Sequence, residues 1–142
     1  MIVSCPHCHA KNRLADERLS EAPRCGVCHQ PLLSGAPLAL DGDNFNALLA
    51  HAPRPVVVDF WAPWCGPCRS FAPAFAATAA GPLGERLIFA KLDTEAQPAI
   101  AQAHAIRSIP TLAVFQRGRE LERVSGALPA GEFARWLERL AN

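Results

Sequence analysis

No stretch of this 142-residue chain is apolar over the length a bilayer requires, about 20 residues, so no membrane partner is expected. Charge of either sign is not in excess: 14 Lys and Arg stand against 13 Asp and Glu, a formal net charge of +1. Such a balance gives no strong field, and neither nucleic acid nor an anionic surface is an expected partner. Residues 1–34 carry four Lys/Arg and three Asp/Glu, so the N-terminal segment has no basic patch either. The opening run Met1-Ile2-Val3-Ser4-Cys5-Pro6 lacks the apolar core of a secretory signal, which predicts a cytoplasmic protein. There is no low-complexity tract, no dinucleotide fingerprint, and no internal repeat beyond a doubled cysteine pair.

Cysteine is what the chain does carry. All six fall into Cys-x-x-Cys pairs: Cys5/Cys8, Cys25/Cys28 and Cys65/Cys68. In a reducing compartment such pairs bind metal or do chemistry more often than they staple a fold. The first two pairs lie in a polar, loop-like segment, residues 1–33. Ser34-Gly35-Ala36-Pro37 reads as a linker, and residues 38–142 read as a packed α/β domain.

Within that domain, Asp43 is placed to cap a helix with Phe45, Leu48, Leu49 and Ala52 on one face, ended by Pro53 and Pro55. Val56 to Trp61 is a continuous apolar run, as expected of a central strand buried on both faces. A helix bearing Phe71, Ala72, Phe75 and Ala79 inward follows, with a kink expected at Pro73. Leu87 to Leu92 is a second strand. Pro98 opens a short helix with Ile100 and Ile106 near its ends. Thr111 to Phe115 and Leu121 to Val124 are strands joined by a turn at Gly118. Phe133, Trp136, Leu137 and Leu140 mark a last helix. With a short strand near Leu38, the order is β-α-β-α-β-α-β-β-α. A mixed sheet with helices on both faces is predicted.

The Cys65-Gly66-Pro67-Cys68 run stands at a strand-to-helix junction. Exposed N–H groups and partial positive charge at a helix N-terminus favour thiolate over thiol, and the thiolate is what attacks disulfides. Asp59 is the odd residue, a carboxylate among valines and aromatics. Burial would raise its pKa and let it hold or pass a proton near neutrality; the alternative is a rim residue bonded to solvent or a lysine.

Val58-Asp59-Phe60-Trp61-Ala62-Pro63-Trp64-Cys65-Gly66-Pro67-Cys68-Arg69 resembles the active-site segment of thioredoxins, and Ile109-Pro110-Thr111 resembles the second signature of that family. The resemblance covers residue 38 to the end. The whole chain, with its extra cysteine pairs, is similar to the zinc-containing thioredoxin 2 subfamily. It implies a thioredoxin fold and a protein-disulfide reductase. Cys65 would be the exposed nucleophile, with a thiol pKa that in thioredoxin lies near ~7, and Cys68 the sheltered resolving thiol. The Gly-Pro dipeptide resembles that of reducing members, which sit near about −270 mV. Asp59 would assist deprotonation of Cys68, with Lys91 as its buried partner. Ile109-Pro110 would be cis and face Cys65. Trp64, Gly66, Pro67, Ile109, Pro110, Gly126 and Ala127 would bind oxidised protein substrates, while Trp61 is assigned to the core. The expected electron donor is an NADPH-dependent thioredoxin reductase, and the expected state is a monomer.

Cys5-x-x-Cys8, then sixteen residues, then Cys25-x-x-Cys28 falls within the spacing of a four-cysteine zinc site. One structural zinc ion is predicted, because a segment this short cannot bury a core able to fold alone. Two disulfides, a four-thiolate iron centre, or covalent haem remain open. Cys5-Pro6-His7-Cys8-His9 and Cys25-Gly26-Val27-Cys28-His29 both match Cys-x-x-Cys-His. His7, His9 and His29 are read as bystanders to the metal. Two other functions compete with reduction: a zinc-ribbon binding or chaperone module on a thioredoxin scaffold, and a disulfide oxidant or isomerase.

Overall fold

A computed structural model describes residues 1–141. The N-terminal segment is a small antiparallel hairpin, β1 (Ile2–Ser4) with β2 (Lys11–Arg13), followed by a 3-10 turn at Asp16–Glu21. The remainder alternates as predicted: β3 (Leu38–Leu40), α1 (Phe45–His51), β4 (Val56–Trp61), α2 (Gly66–Ala80), β5 (Ile88–Asp93), α3 (Pro98–Ala103), β6 (Thr111–Gln116), β7 (Arg119–Ser125) and α4 (Ala130–Leu140). The five strands form one sheet in the order β3-β5-β4-β6-β7. β3, β5 and β4 run parallel, while β6 and β7 join antiparallel.

Strand periodicity sorts β4 onto two faces. Val56, Val58 and Phe60 pack with Phe45 and Leu48 of α1 and with Phe115. Val57 points the other way, into a cluster with Phe71 and Phe75 of α2 and Phe133 and Leu137 of α4. Asp59 therefore shares the α2 face with Val57. Each fully buried Phe or Leu in these layers contributes about 1.5–3 kcal/mol, so two full clusters, one per face, hold the sheet between helices.

Three local expectations change. Asp43 does not cap α1: the Asp41 carboxylate accepts the N–H groups of Asp43 and Asn44 at 2.9 and 3.2 Å, and Asp43 Oδ2 instead accepts the Ile2 N–H at 2.6 Å. The helix opened by Pro98 stops at Ala103, short of Ile106. Ala105 takes a left-handed φ of 54°, and the Ile106 N–H returns to the Ala101 carbonyl at 3.0 Å, closing the last turn. Trp61 is half-buried rather than core, with the Lys91 ammonium 4.4 Å above its ring. α2 continues through Pro73 as one element.

The N-terminal segment does not stand apart. Val3, Leu19, Leu32 and Leu33 belong to the same buried cluster as Leu38, Leu40 and the α1 face. Polar ties reinforce the seam: Asn44 Nδ2 donates to the Ile2 carbonyl at 3.1 Å, and Arg54 Nη2 to the Leu33 carbonyl at 3.1 Å.

Candidate active site and metal centre

The strand β4 ends at Trp61, and four residues later Cys65 caps α2. Pro67 occupies the first turn of the helix, where its missing N–H costs no hydrogen bond. Cys65 Sγ accepts the Cys68 N–H at 3.2 Å, one of the unpaired donors at the helix start. Cys65 and Cys68 are joined in a disulfide, with Cα atoms 5.3 Å apart. The site is thus the oxidised form of a dithiol.

Solvent reaches the pair less than expected. Cys65 is 4% exposed and Cys68 2%. The exposed nucleophile predicted from the sequence is tucked under its neighbours. Its backbone N–H bonds the buried Ala62 at 3.1 Å, its sulfur is bonded to Cys68, and the Ile109 carbonyl oxygen lies 3.8 Å from that sulfur. Both cysteines are buried, so the expected contrast between an exposed Cys65 and a sheltered Cys68 is not seen in this oxidised form. The rim is open: Trp64 is 68% exposed, and a Cβ at Gly66 or Gly126 would meet nothing within 4 Å.

Ile109-Pro110 is cis, as the resemblance implied. Pro110 itself is buried, so its ring is not part of a surface patch; its carbonyl accepts the Gly126 N–H at 2.7 Å. Gly126 has φ of 93°, a conformation that only glycine adopts readily. This bond ties the loop after β7 to the loop before β6, beside the disulfide.

Asp59 is fully buried, and among the described residues neither carboxylate oxygen has a hydrogen-bond partner. Burial raises its pKa from 3.8 to about 6, partly offset by the positive charge of Lys91. Lys91 is its register neighbour on β5. Among the described residues the two form no ion pair; the ammonium sits over Trp61 instead.

The other four cysteines converge. Their sulfur atoms all lie within 4.8 Å of one another, with Cys5–Cys28 and Cys8–Cys25 each at 3.6 Å. A disulfide needs about 2.05 Å, and none of the four is bridged. Zinc–sulfur bonds of about 2.3 Å in a tetrahedron separate the sulfurs by about 3.8 Å, which these spacings match. The residues present therefore fit one zinc ion on four thiolates. The donors around them suit thiolate: Cys5 Sγ accepts the N–H of His7 and Cys8 at 3.3 and 3.4 Å, and Cys25 Sγ that of Val27 at 3.3 Å. Without a cation, hydrogen bonds from the Cys28 and Val27 backbones and from Asn12 bring the Cys25 thiol down to about 5, while at Cys28 a Gln30 backbone hydrogen bond is outweighed by burial and the neighbouring sulfurs, which push the thiol up to about 12.

Asn12 gave no warning in the sequence, and the two histidines read as bystanders have a backbone role. Asn12 on β2 donates to Cys25 Sγ at 3.5 Å and accepts the Gly26 N–H at 2.9 Å, so it braces the second knuckle from the hairpin. His9 and His29 have φ of 68° and 64° and turn the chain back after each pair. Their N–H groups bond the Cys5 and Cys25 carbonyls at 2.9 and 3.0 Å. Histidine tolerates this left-handed region better than most residues. That accounts for Cys-x-x-Cys-His without haem, and both rings stay outside the cluster of four sulfurs.

Residues 36–139 match the family model described as Thioredoxin, and residues 4–30 match Thioredoxin 2, N-terminal. The chain is 44% identical to Thioredoxin C-3 of Corynebacterium nephridii over 97% of this chain and 94% of that one. It is 40% identical to a chloroplastic M-type thioredoxin of Chlamydomonas reinhardtii over 73% of this chain and 74% of the relative. A solved thioredoxin of Malassezia sympodialis superposes with a TM-score of 0.68 at 31% identity, covering 73% of this chain and 92% of that one.

Proposed function

This chain belongs to the thioredoxin family and is a thioredoxin-type protein-disulfide oxidoreductase, and we propose that it works as a reductase of oxidised proteins. The observation that carries the reading is the setting of the Cys65 sulfur. It caps a helix of 15 residues, accepts a backbone N–H at 3.2 Å, and has an uncovered rim at Trp64 and Gly66. These features favour a thiolate at Cys65 in the dithiol form.

The Cys65 thiolate attacks one sulfur of a substrate cystine. The substrate S–S bond breaks, and its other sulfur leaves as a thiolate and takes up a proton. Cys68 then loses its proton and attacks Cys65 Sγ. The mixed disulfide breaks, the second substrate thiol leaves, and the Cys65–Cys68 bond remains. Two electrons have passed to the substrate. Asp59 accepts the Cys68 proton; its burial, its lack of partners and a pKa of about 6 support that role, and Lys91 tunes it. The Ile109 and Gly126 backbones, with Trp64, Gly66 and Pro67, hold the substrate chain, while buried Pro110 fixes their loop. A thioredoxin reductase drawing on NADPH returns the electrons.

Cys5, Cys8, Cys25 and Cys28 hold one structural zinc. Bound zinc gives such segments about 10–16 kcal/mol of apparent folding free energy. Among the described residues no helix is long and apolar enough to cross a membrane.

Reduction of insulin, followed by turbidity with NADPH and thioredoxin reductase, tests the proposal. The chain should accelerate precipitation, and Cys65→Ser should not. Equal activity in that variant would point instead to a binding scaffold.

A further inference from the structure

A cleft of about 440 Å³ opens at Pro67, next to the dithiol in sequence, and lies between α2 and the segment entering α4. Pro67, Ser70 and Ala74 make one wall and Leu128 and Pro129 the other, with buried Phe71 beneath. Among the described residues no charged one lines it. Positions 67, 70 and 74 follow helical spacing and so form one stripe along α2. Seven residues of helix span about 10 Å, the length of about three residues of extended chain. Ser70 and Ala74 are small, and a longer side chain at either position would fill the stripe.

The chemistry of the site names the occupant. A protein-disulfide oxidoreductase of this type holds its polypeptide substrate covalently on Cys65, two residues before Pro67. The substrate chain beside its own cystine, held at Gly66 and Pro67, can therefore reach the mouth of the cleft. A Cβ at Gly66 would meet nothing within 4 Å, so the approach is unobstructed. We infer that this cleft is a substrate subsite that takes an apolar side chain lying within three residues of the substrate's cystine. The inference rests on the reading of the dithiol as a protein-disulfide reductase.

The full chain is assayed on two disulfide-linked peptides that differ only in Leu or Asp two residues from the half-cystine. The disulfide of β-mercaptoethanol serves as a third substrate, too short to reach the cleft. The Leu peptide should exceed the Asp peptide by about tenfold in kcat/KM. Ser70→Glu, at an exposed position, should remove that preference and lower the ratio of Leu peptide to small disulfide by about the same factor. Ala74→Leu, which fills the cleft with apolar bulk, should lower the ratio without adding charge. Because the small disulfide reports on Cys65 itself, the ratio isolates the cleft. Equal rates for the two peptides, or a ratio unmoved in both variants, overturn the subsite and leave the dithiol's role intact. Failure to reduce even the small disulfide removes that role, and the subsite with it.

Discussion

The same spacing, Cys-x-x-Cys, is used three times here and does two different things. In each motif the first cysteine accepts a backbone N–H from two or three residues on: His7 and Cys8 onto Cys5, Val27 onto Cys25, Cys68 onto Cys65. Local geometry is therefore nearly shared. What differs is the company each sulfur keeps. The two knuckles face one another, so four sulfurs meet at 3.6 Å across the pairs and suit a cation. Cys65 and Cys68 lie at the start of a helix among Ala62, Trp61 and Ile109, with no third thiol of this chain beside them, so within the chain they close on each other. The motif supplies a first sulfur that accepts backbone N–H bonds; the tertiary fold decides whether it faces other thiols across a four-sulfur cluster or a single partner thiol.

Removing a sulfur from each site should separate the two uses most sharply. Cys65→Ser should bring insulin reduction down to the uncatalysed rate, while elemental analysis still finds one zinc per chain. Loss of zinc in that variant would mean that the two sites are not independent.

The converse change, Cys25→Ser, should act on stability. Cys5 and Cys25 are buried in the cluster that also contains Leu38, Leu48 and Phe115. Loss of the metal should therefore loosen the main sheet as well as the N-terminal segment. A loss of about 3 kcal/mol lowers Tm by about 10 °C in a chain of this size. Differential scanning calorimetry should show one shifted transition. An unmoved main transition would mean that the N-terminal segment melts separately.

Asp59 sharpens the comparison from the side of the proton. Its carboxyl keeps a proton when folded, up to about pH 6, whereas in the unfolded chain it has lost it above about 4. Stability therefore falls as pH rises through that window, and by neutral pH the buried charge opposes folding by about 3 kcal/mol. Asp59→Asn should be more stable than the parent by about that amount at pH 7, with the gain disappearing below about pH 4. It should also reduce disulfides more slowly and lose the rate dependence near pH 6. Urea titrations across pH check the first effect and stopped-flow reduction the second; a flat stability difference would contradict the buried, unpaired carboxylate.

The smallest effect is expected at Lys91. Its charge lowers the Asp59 pKa without an ion pair. Lys91→Met should raise the midpoint seen by carbon-13 NMR of the Asp59 carboxyl by a fraction of a pH unit. An unchanged midpoint would show that the ammonium over Trp61 does not reach the acid.

Much of this was legible in the residues. The run Val56–Trp61 with its single acid marked a central strand, and the helical spacing of Phe133, Trp136 and Leu137 marked the last helix; both elements form there. Four cysteines at zinc spacing marked the cluster of four sulfurs, because ligand chemistry is written in residue type. The seam between the segments was not legible. Val3, Leu19, Leu32 and Leu33 are too sparse to give a period, and their burial depends on α1 and β3, which are distant in sequence. Asp43 looked like a cap, but its partner, the Ile2 N–H, lies 41 residues away. Low exposure at Cys65 likewise depends on Ala62 and Ile109, from outside its own helix, as well as on Cys68.

Alkylation of the zinc-loaded, reduced chain with iodoacetamide at pH 7, mapped by mass spectrometry, tests the division between the sites most directly. Cys65 should react well ahead of glutathione, while Cys68 and the four cluster cysteines stay unmodified. A Cys65 no faster than glutathione, or cluster cysteines labelled alongside it, would contradict the account.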